Sequence, residues 1–116
     1  MANSDISYAE LKALLGKSES LLLVDVRTKE EVDKGYIPGS IHIPVDSVES
    51  ALSLDPAEFK AKYGVSKPPL DAPQFVFHCQ MGRRGAMATQ KAQSMGFQKA
   101  SNYAGGYKEW SDKEGK

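Results

Sequence analysis

Cysteine and histidine are scarce in this sequence. Its 116 residues contain one cysteine, Cys79, and two histidines, His42 and His78. A single cysteine excludes both an internal disulfide and a Cys-x-x-Cys redox pair, so any second thiol must come from another molecule. One cysteine and two scattered histidines are also too few for a structural zinc site. We therefore expect neither a metal nor a cofactor.

An excess of charge of one sign and long apolar runs are absent as well. Fifteen Lys and Arg residues balance fifteen Asp and Glu residues, which argues against a nucleic-acid partner. No apolar run reaches the length that spans a bilayer. Residues 1–5 lack the basic segment, followed by an apolar one, of a secretory signal. These absences predict a cytoplasmic protein without a membrane partner, and its size and neutral charge predict a monomer.

The remaining sequence alternates between strand and helix patterns. Its length suits one domain, residues 1–116, with a core from about 4 to 112. Continuous apolar stretches predict buried strands, whereas capping residues and glycine stops mark helices. The predicted strands are 21–26, 40–44, 75–77 and 97–103, and the predicted helices begin at Ser7, Thr28, Asp46, Asp55, Ala86 and Tyr107. This order predicts an α/β fold with a central, mainly parallel sheet and helices on both faces.

The stretch around the only cysteine carries the strongest functional signal. Cys79 follows the apolar strand 75–77, and the glycine-containing, doubly basic segment 80–85 separates it from a helix that we expect to begin at Ala86. At the carboxyl end of such a strand, unpaired backbone N–H groups at the start of the helix converge and stabilise a thiolate. Arg83 and Arg84 add permanent positive charge suited to an oxyanion. The pattern predicts a nucleophilic sulfur beside an anion-binding loop.

Several residues near this loop also have ordinary structural interpretations. A lone cysteine is often only a small buried apolar residue, but a packing cysteine does not need a polar, basic loop after it, so we favour the reactive role. Asp25 and Arg27 predict a structural ion pair. His42 is expected to be a structural histidine with a satisfied hydrogen bond. The pair Gly105 and Gly106 predicts a close backbone approach to the cysteine loop.

Four segments together resemble the rhodanese domain family, and the resemblance extends from about Ser4 to Trp110. They are Asp25–Arg27, Gly35–Pro44, Cys79–Arg84 and Tyr103–Trp110. The resemblance implies an enzyme that moves sulfur in two steps. A cysteine takes the outer sulfur of thiosulfate as a persulfide and releases sulfite. A thiol acceptor such as glutathione or thioredoxin then removes that sulfur.

The resemblance also implies a role for individual residues. Cys79 is the catalytic nucleophile. The implied substrate-binding residues are Gln80, Met81, Gly82, Arg83, Arg84 and Gly85, with Arg84, and less directly Arg83, on the sulfonate end of thiosulfate. The implied structural residues near the site are Asp25, Arg27, Gly105 and Gly106.

Two alternatives follow from the same residues. Related phosphatases have a Cys-x5-Arg loop, and His78 before Cys79 is similar to their His-Cys pair. Here, however, the arginine stands at Arg84, which gives the shorter Cys-x4-Arg loop and favours sulfur transfer over a phosphatase or an arsenate reductase. A non-catalytic rhodanese-like binding or sulfur-carrier module is the second alternative. The presence of Cys79 and of the basic loop argues against it.

Overall fold

A computed structural model describes residues 5–17, 21–71 and 74–114 as an α/β fold. The strands are β1 (Asp5–Ile6), β2 (Leu22–Asp25), β3 (Ile41–His42), β4 (Phe75–His78) and β5 (Ala100–Tyr103). The helices are α1 (Tyr8–Lys17), α2 (Lys29–Asp33), α3 (Val48–Ser53), α4 (Pro56–Tyr63), α5 (Arg83–Ser94) and α6 (Gly106–Lys113), and a short 3-10 helix (Val45–Ser47) precedes α3. The strands form one sheet in the order β1-β5-β4-β2-β3, and all neighbours run parallel. The predicted parallel α/β fold is confirmed.

Two apolar clusters, one on each face of the sheet, hold the fold together. Successive residues of a strand point to opposite faces, so Val24 and Phe77 join one cluster while Leu23 and Val76 join the other. Helices α3, α4 and α5 supply the first cluster, and α1 and α6 supply the second. Trp110 on α6 packs inward in this second cluster. Because both faces are covered, the sheet presents its edges and the ends of its strands as sites for function.

Local sequence signals place several helix ends as expected. Ser7 and Glu10 exchange backbone and side-chain hydrogen bonds in a capping box before α1. The Asp55 carboxylate accepts the Glu58 N–H at 2.9 Å at the start of α4. Gly64 ends α4 with φ +80°, in the left-handed region that glycine adopts readily.

Other boundaries differ from the predictions. Asp46 does not cap a helix but lies inside the 3-10 helix, and Ser47 precedes α3 instead. The strand β1 has only two residues, too few for a period to appear in the sequence. The predicted start of the core near residue 4 lies outside the described residues. Among the helices in the described part of the chain, none has the length and apolar character needed to cross a bilayer.

Candidate active site

Cys79 directly follows β4, at the point where the chain changes its direction across the sheet. From β2 the chain first adds β3 on one side, and it later adds β4 and then β5 on the other. In open parallel sheets, the crevice at the carboxyl ends of strands at such a reversal is the usual ligand site. Cys79 therefore lies where the topology favours binding.

The turn after β4 brings a backbone donor to the cysteine sulfur. The Gly82 N–H donates to Cys79 Sγ over 3.0 Å. Gly82 has φ +100°, and a Cβ atom there would lie 2.3 Å from the Ala104 carbonyl oxygen. Only glycine fits this turn, because the left-handed backbone and the close approach to Ala104 both exclude a side chain. The sulfur itself is buried, with Cys79 only 1% exposed.

The helix after the turn begins earlier than predicted, at Arg83 rather than Ala86. Its first intrahelical hydrogen bond joins the Ala86 N–H to the Gly82 carbonyl oxygen at 2.9 Å. Arg83, Arg84 and Gly85 therefore form the first turn, and helical geometry leaves their three N–H groups without an intrahelical acceptor. The helix amino terminus that the sequence predicts beside Cys79 is therefore present, and it starts three residues earlier than expected, at Arg83.

Helix α6 holds the opposite side of the cysteine loop. The Tyr107 N–H donates to the Cys79 carbonyl at 2.8 Å, and the Lys108 N–H donates to the Gln80 carbonyl at 3.0 Å. In trans peptides the N–H points away from the preceding C=O, so the amides of Gln80 and Met81 point away from α6. The loop therefore has its carbonyl oxygens satisfied on one side and presents N–H groups on the other.

Of the two neighbouring glycines, Gly106 makes the close approach that the sequence predicts. Its φ is +67°, and a Cβ atom there would lie 2.4 Å from the Gln80 oxygen and 2.7 Å from the Cys79 oxygen. Gly105 does not approach the loop backbone in this way, since its nearest atoms belong to the side chain of Glu109.

The predicted ion pair of Asp25 and Arg27 is present, and it reaches the cysteine loop. Both side chains are buried, and Arg27 Nη2 donates to Asp25 Oδ2 at 2.7 Å. The Arg27 guanidinium also donates to the Gly35 carbonyl and, through Nη1, to Gln80 Oε1 at 3.1 Å. Its Cζ lies 4.4 Å from the centre of the Tyr107 ring. One buried side chain thereby joins four segments around the site.

The two arginines after Gly82 have different surroundings. Arg84 binds Glu31 of α2 through two parallel hydrogen bonds, with Nη1 to Oε1 at 2.7 Å and Nη2 to Oε2 at 3.0 Å. This pairing holds the pKa of Glu31 at about 2 and raises the pKa of Arg84. Thr28 also orients Glu31, since the Thr28 N–H donates to Glu31 Oε1 at 3.0 Å. Arg83 is exposed.

These groups surround one cavity of about 600 Å³, which we term the cysteine cavity. It is lined by Glu31, Cys79, Gln80, Met81, Arg83 and Arg84. Five of these six residues are among those predicted for the site. The other two predicted substrate-binding residues, Gly82 and Gly85, are not in this lining and lie in the turn and in the first turn of α5. Among residues 5–17, 21–71 and 74–114, no group of three His, Cys, Asp or Glu side chains could hold a metal ion.

The first turn of α5 packs tightly against the sheet at Gly85. A Cβ atom on Gly85 would lie 2.2 Å from Asn102 Oδ1 and 3.2 Å from the Cα of His78. Asn102 also donates from Nδ2 to the Gly82 carbonyl at 3.1 Å.

Burial lowers the pKa of His78 to about 4, although Asp25 nearby opposes this shift. His78 is thus neutral at pH 7 and lies under the site rather than in the cavity.

Two residues at the site, Glu31 and Asn102, are not indicated by the sequence patterns. The Thr28-x-x-Glu31 spacing is a capping-box signal, which fixes the position of Glu31 but does not reveal its partner. Asn102 carried no local signal, because its role depends on pairing between β4 and β5. His42, in contrast, has the expected structural bond, with Nε2 lying 2.6 Å from the Arg27 carbonyl oxygen.

Comparison with known proteins decides the family. The family profile described as "Rhodanese-like domain" matches residues 7–113. The chain belongs to the rhodanese family. The family membership predicted from the sequence is therefore confirmed, and the α/β fold described above is that of a rhodanese domain.

Named relatives of this rhodanese domain include sulfurtransferases. Human thiosulfate:glutathione sulfurtransferase is 50% identical over 109 residues, which are 94% of each chain. The Saccharomyces cerevisiae protein of the same name is 37% identical over 105 residues, covering 90% of this chain and 75% of that one. The solved human single-domain sulfurtransferase TSTD1 has a TM-score of 0.90 at 48% identity, with 97% of this chain and 98% of that one covered. These likenesses agree with the predicted sulfurtransferase.

Proposed function

We propose that this rhodanese domain transfers the outer sulfur of thiosulfate to glutathione through a persulfide on Cys79. The observation that carries the proposal is the cysteine cavity. A buried sulfur accepts a backbone N–H at 3.0 Å, and two arginines line the space in front of it. The names of the human and yeast relatives support the choice of thiosulfate and glutathione.

In the first half-reaction the Cys79 thiolate attacks the outer sulfur of thiosulfate. A new sulfur–sulfur bond forms on Cys79 while the sulfur–sulfur bond of thiosulfate breaks, and sulfite leaves with the electron pair. The backbone N–H groups of Gln80 to Gly85 stabilise the anionic sulfur, as donors stabilise an oxyanion. In the second half-reaction the glutathione thiolate attacks the persulfide, and Cys79 regains its thiolate.

Arg84 and Arg83 bind the sulfonate end of thiosulfate in this proposal. A guanidinium has five N–H donors, and Glu31 occupies two of those of Arg84. Three donors remain for an anion, and Glu31 holds them in one orientation. The exposed Arg83 adds a second cation at the mouth of the cavity.

The packing of Gly85 argues against the phosphatase alternative. In a Cys-x5-Arg loop counted from Cys79, the arginine would stand at position 85. A Cβ atom at that position would lie 2.2 Å from Asn102 Oδ1 and 3.2 Å from the His78 Cα, so an arginine there requires the buried Asn102 side chain to move and the backbone at His78 to give way slightly. The packing of α5 thus favours the shorter Cys79-x4-Arg84 loop, which supports sulfur transfer.

We also propose that the chain works as a monomer in the cytoplasm, as one domain over residues 1–116. A reduced compartment suits the single cysteine, because its persulfide needs an external thiol to discharge it.

Thioredoxin or another protein thiol is the alternative acceptor. A comparison of the transfer rates to glutathione and to thioredoxin at equal concentration separates the two acceptors.

Intact mass spectrometry tests the proposal. Incubation with thiosulfate should add one sulfur atom to the wild-type protein and none to Cys79→Ser, and glutathione should remove the added sulfur with turnover. Release of phosphate from an aryl phosphate without any sulfur adduct would establish the phosphatase instead. Full cellular function of Cys79→Ser would establish a binding module.

A further inference from the structure

A second groove meets the cysteine cavity along α6. It has a volume of about 450 Å³ and is lined by Met81, Gly105, Lys108, Glu109, Asp112 and Lys113, among others. We term it the α6 groove. Met81 lines both spaces, and its side chain is 70% exposed between them. A molecule in the α6 groove can therefore reach past Met81 toward the cysteine sulfur.

The α6 groove is fixed relative to the reactive loop. The Lys108 N–H donates to the Gln80 carbonyl oxygen at 3.0 Å, and the preceding residue of α6 binds the Cys79 carbonyl oxygen. The close packing of Gly106 against the same two oxygens prevents a shift of the helix. The backbone of α6 is thus held at a set distance from Cys79, as an acceptor site requires.

The α6 groove offers one cation for each carboxylate of glutathione and an anion for its ammonium group. Glutathione carries a carboxylate and an ammonium group on one side of its thiol and a second carboxylate on the other. The groove is lined by two cations, Lys108 and Lys113, and two anions, Glu109 and Asp112. The two lysines are separated by about 7.5 Å along the helix axis and by about 140° around it, and both line the groove. An extended tripeptide spans about 10 Å. Lys108 Nζ lies 3.2 Å from Asp112 Oδ2, and both side chains are exposed. A ligand carboxylate can therefore replace Asp112 as the partner of Lys108 at little cost.

Two other grooves lie away from Cys79. One involves Leu22 and Gln74, at the amino ends of β2 and β4 and so at the opposite end of the sheet. The other involves Gln93 and Ser94 at the carboxyl end of α5, whose amino end faces the sulfur. Neither can present a thiol to Cys79, whereas the α6 groove can.

We propose that the α6 groove binds the acceptor glutathione, with Lys108 and Lys113 holding its carboxylates. This inference rests on the proposed function and assigns a site to its second half-reaction. The bound thiolate attacks the outer sulfur of the Cys79 persulfide. The bond from that sulfur to glutathione forms, and the bond to Cys79 breaks with its electron pair returning to Cys79 Sγ. The proton of the glutathione thiol goes to solvent before the attack.

The test compares acceptors in the double variant Lys108→Ala/Lys113→Ala. We expect the KM for glutathione to rise about fivefold or more, because two charge-assisted contacts are lost. The neutral thiol 2-mercaptoethanol has no carboxylates, so its rate as an acceptor should stay within about twofold of the wild type. Sulfur loading of Cys79 by thiosulfate should also be unchanged. The control Lys60→Ala/Lys62→Ala, on α4, removes the same charge away from the groove and should leave all three measurements unaltered.

An unchanged KM for glutathione in Lys108→Ala/Lys113→Ala would overturn the inference, and so would an equal rise in both double variants. Both results leave the proposed function intact as long as thiosulfate still loads Cys79. Failure of the wild-type protein to take up sulfur would instead overturn the proposed function itself.

Discussion

Replacement of Gly106 by alanine tests how strongly α6 supports the reactive loop. A Cβ atom at this position would lie 2.4 Å from the Gln80 oxygen and 2.7 Å from the Cys79 oxygen, both backbone atoms. Either α6 or the cysteine loop must then move. Such a movement lengthens the two hydrogen bonds by which Tyr107 and Lys108 hold these same oxygens.

The cost of Gly106→Ala has two parts. Alanine at φ +67° costs about 1–2 kcal/mol because its Cβ crowds the backbone in the left-handed region. Loss of two backbone hydrogen bonds adds about 2 kcal/mol. We therefore expect the free energy of unfolding to fall by about 3–4 kcal/mol. A domain of this size can remain folded after such a loss, since typical stabilities are about 5–15 kcal/mol.

Gly64→Ala is a matched control for this experiment. Gly64 has φ +80°, but no atom lies within 4 Å of its would-be Cβ, so only the backbone cost of about 1–2 kcal/mol applies. Urea unfolding should show a larger loss for Gly106→Ala than for Gly64→Ala. Sulfur loading by thiosulfate should slow by about tenfold or more in Gly106→Ala alone, because displaced reacting groups lose rate steeply. Equal unfolding losses in the two variants, or unchanged sulfur loading in Gly106→Ala, would refute the reasoning.

Two further predictions concern charged groups around the loop. Glu31→Gln should raise the KM for thiosulfate by about fivefold with little change in kcat, because Arg84 loses its paired orientation. The same substitution at the exposed neighbour, Glu30→Gln, should change neither constant. An equal rise in KM in Glu30→Gln would contradict the role of Glu31. The unfolded state binds more protons than the folded state as the pH falls from 6.5, because burial holds the pKa of His78 at about 4. The free energy of unfolding should therefore drop by about 1.5 kcal/mol between pH 6.5 and about 5. Urea titrations at several pH values measure this dependence, and an equally steep dependence on pH in His78→Gln would contradict the prediction.

The fold can be predicted from the sequence because its signals are local. The buried strand 75–78, the Asp55 cap and the Gly64 stop each depend on a few neighbouring residues. Burial of a continuous apolar strand on both faces already implies a parallel sheet. The family resemblance then added the role of Cys79, which local patterns only made plausible.

The start of α5 differs from the prediction because a glycine such as Gly85 is more typical of a loop than of a helix. Glycine normally disfavours a helix interior, but here Asn102 and His78 fill the space of its missing side chain. Tertiary packing thus outweighs the local preference. The partner of Arg84 could not be foreseen either, because Glu31 is 53 residues distant in the sequence and only the fold brings the two together.

The buried Arg27 links four segments of the chain that surround the site. Its guanidinium is shared by Asp25 at the end of β2, the Gly35 carbonyl, Gln80 in the cysteine loop and the ring of Tyr107 on α6. Release of any one of these segments leaves a buried charge with fewer partners, which is costly. Hydrogen exchange should therefore show the amides of these four segments opening as one cooperative unit, close to the rate of global unfolding. The walls of the cysteine cavity would then be held in place by the stability of the whole domain, so that the cavity is formed before any substrate enters it.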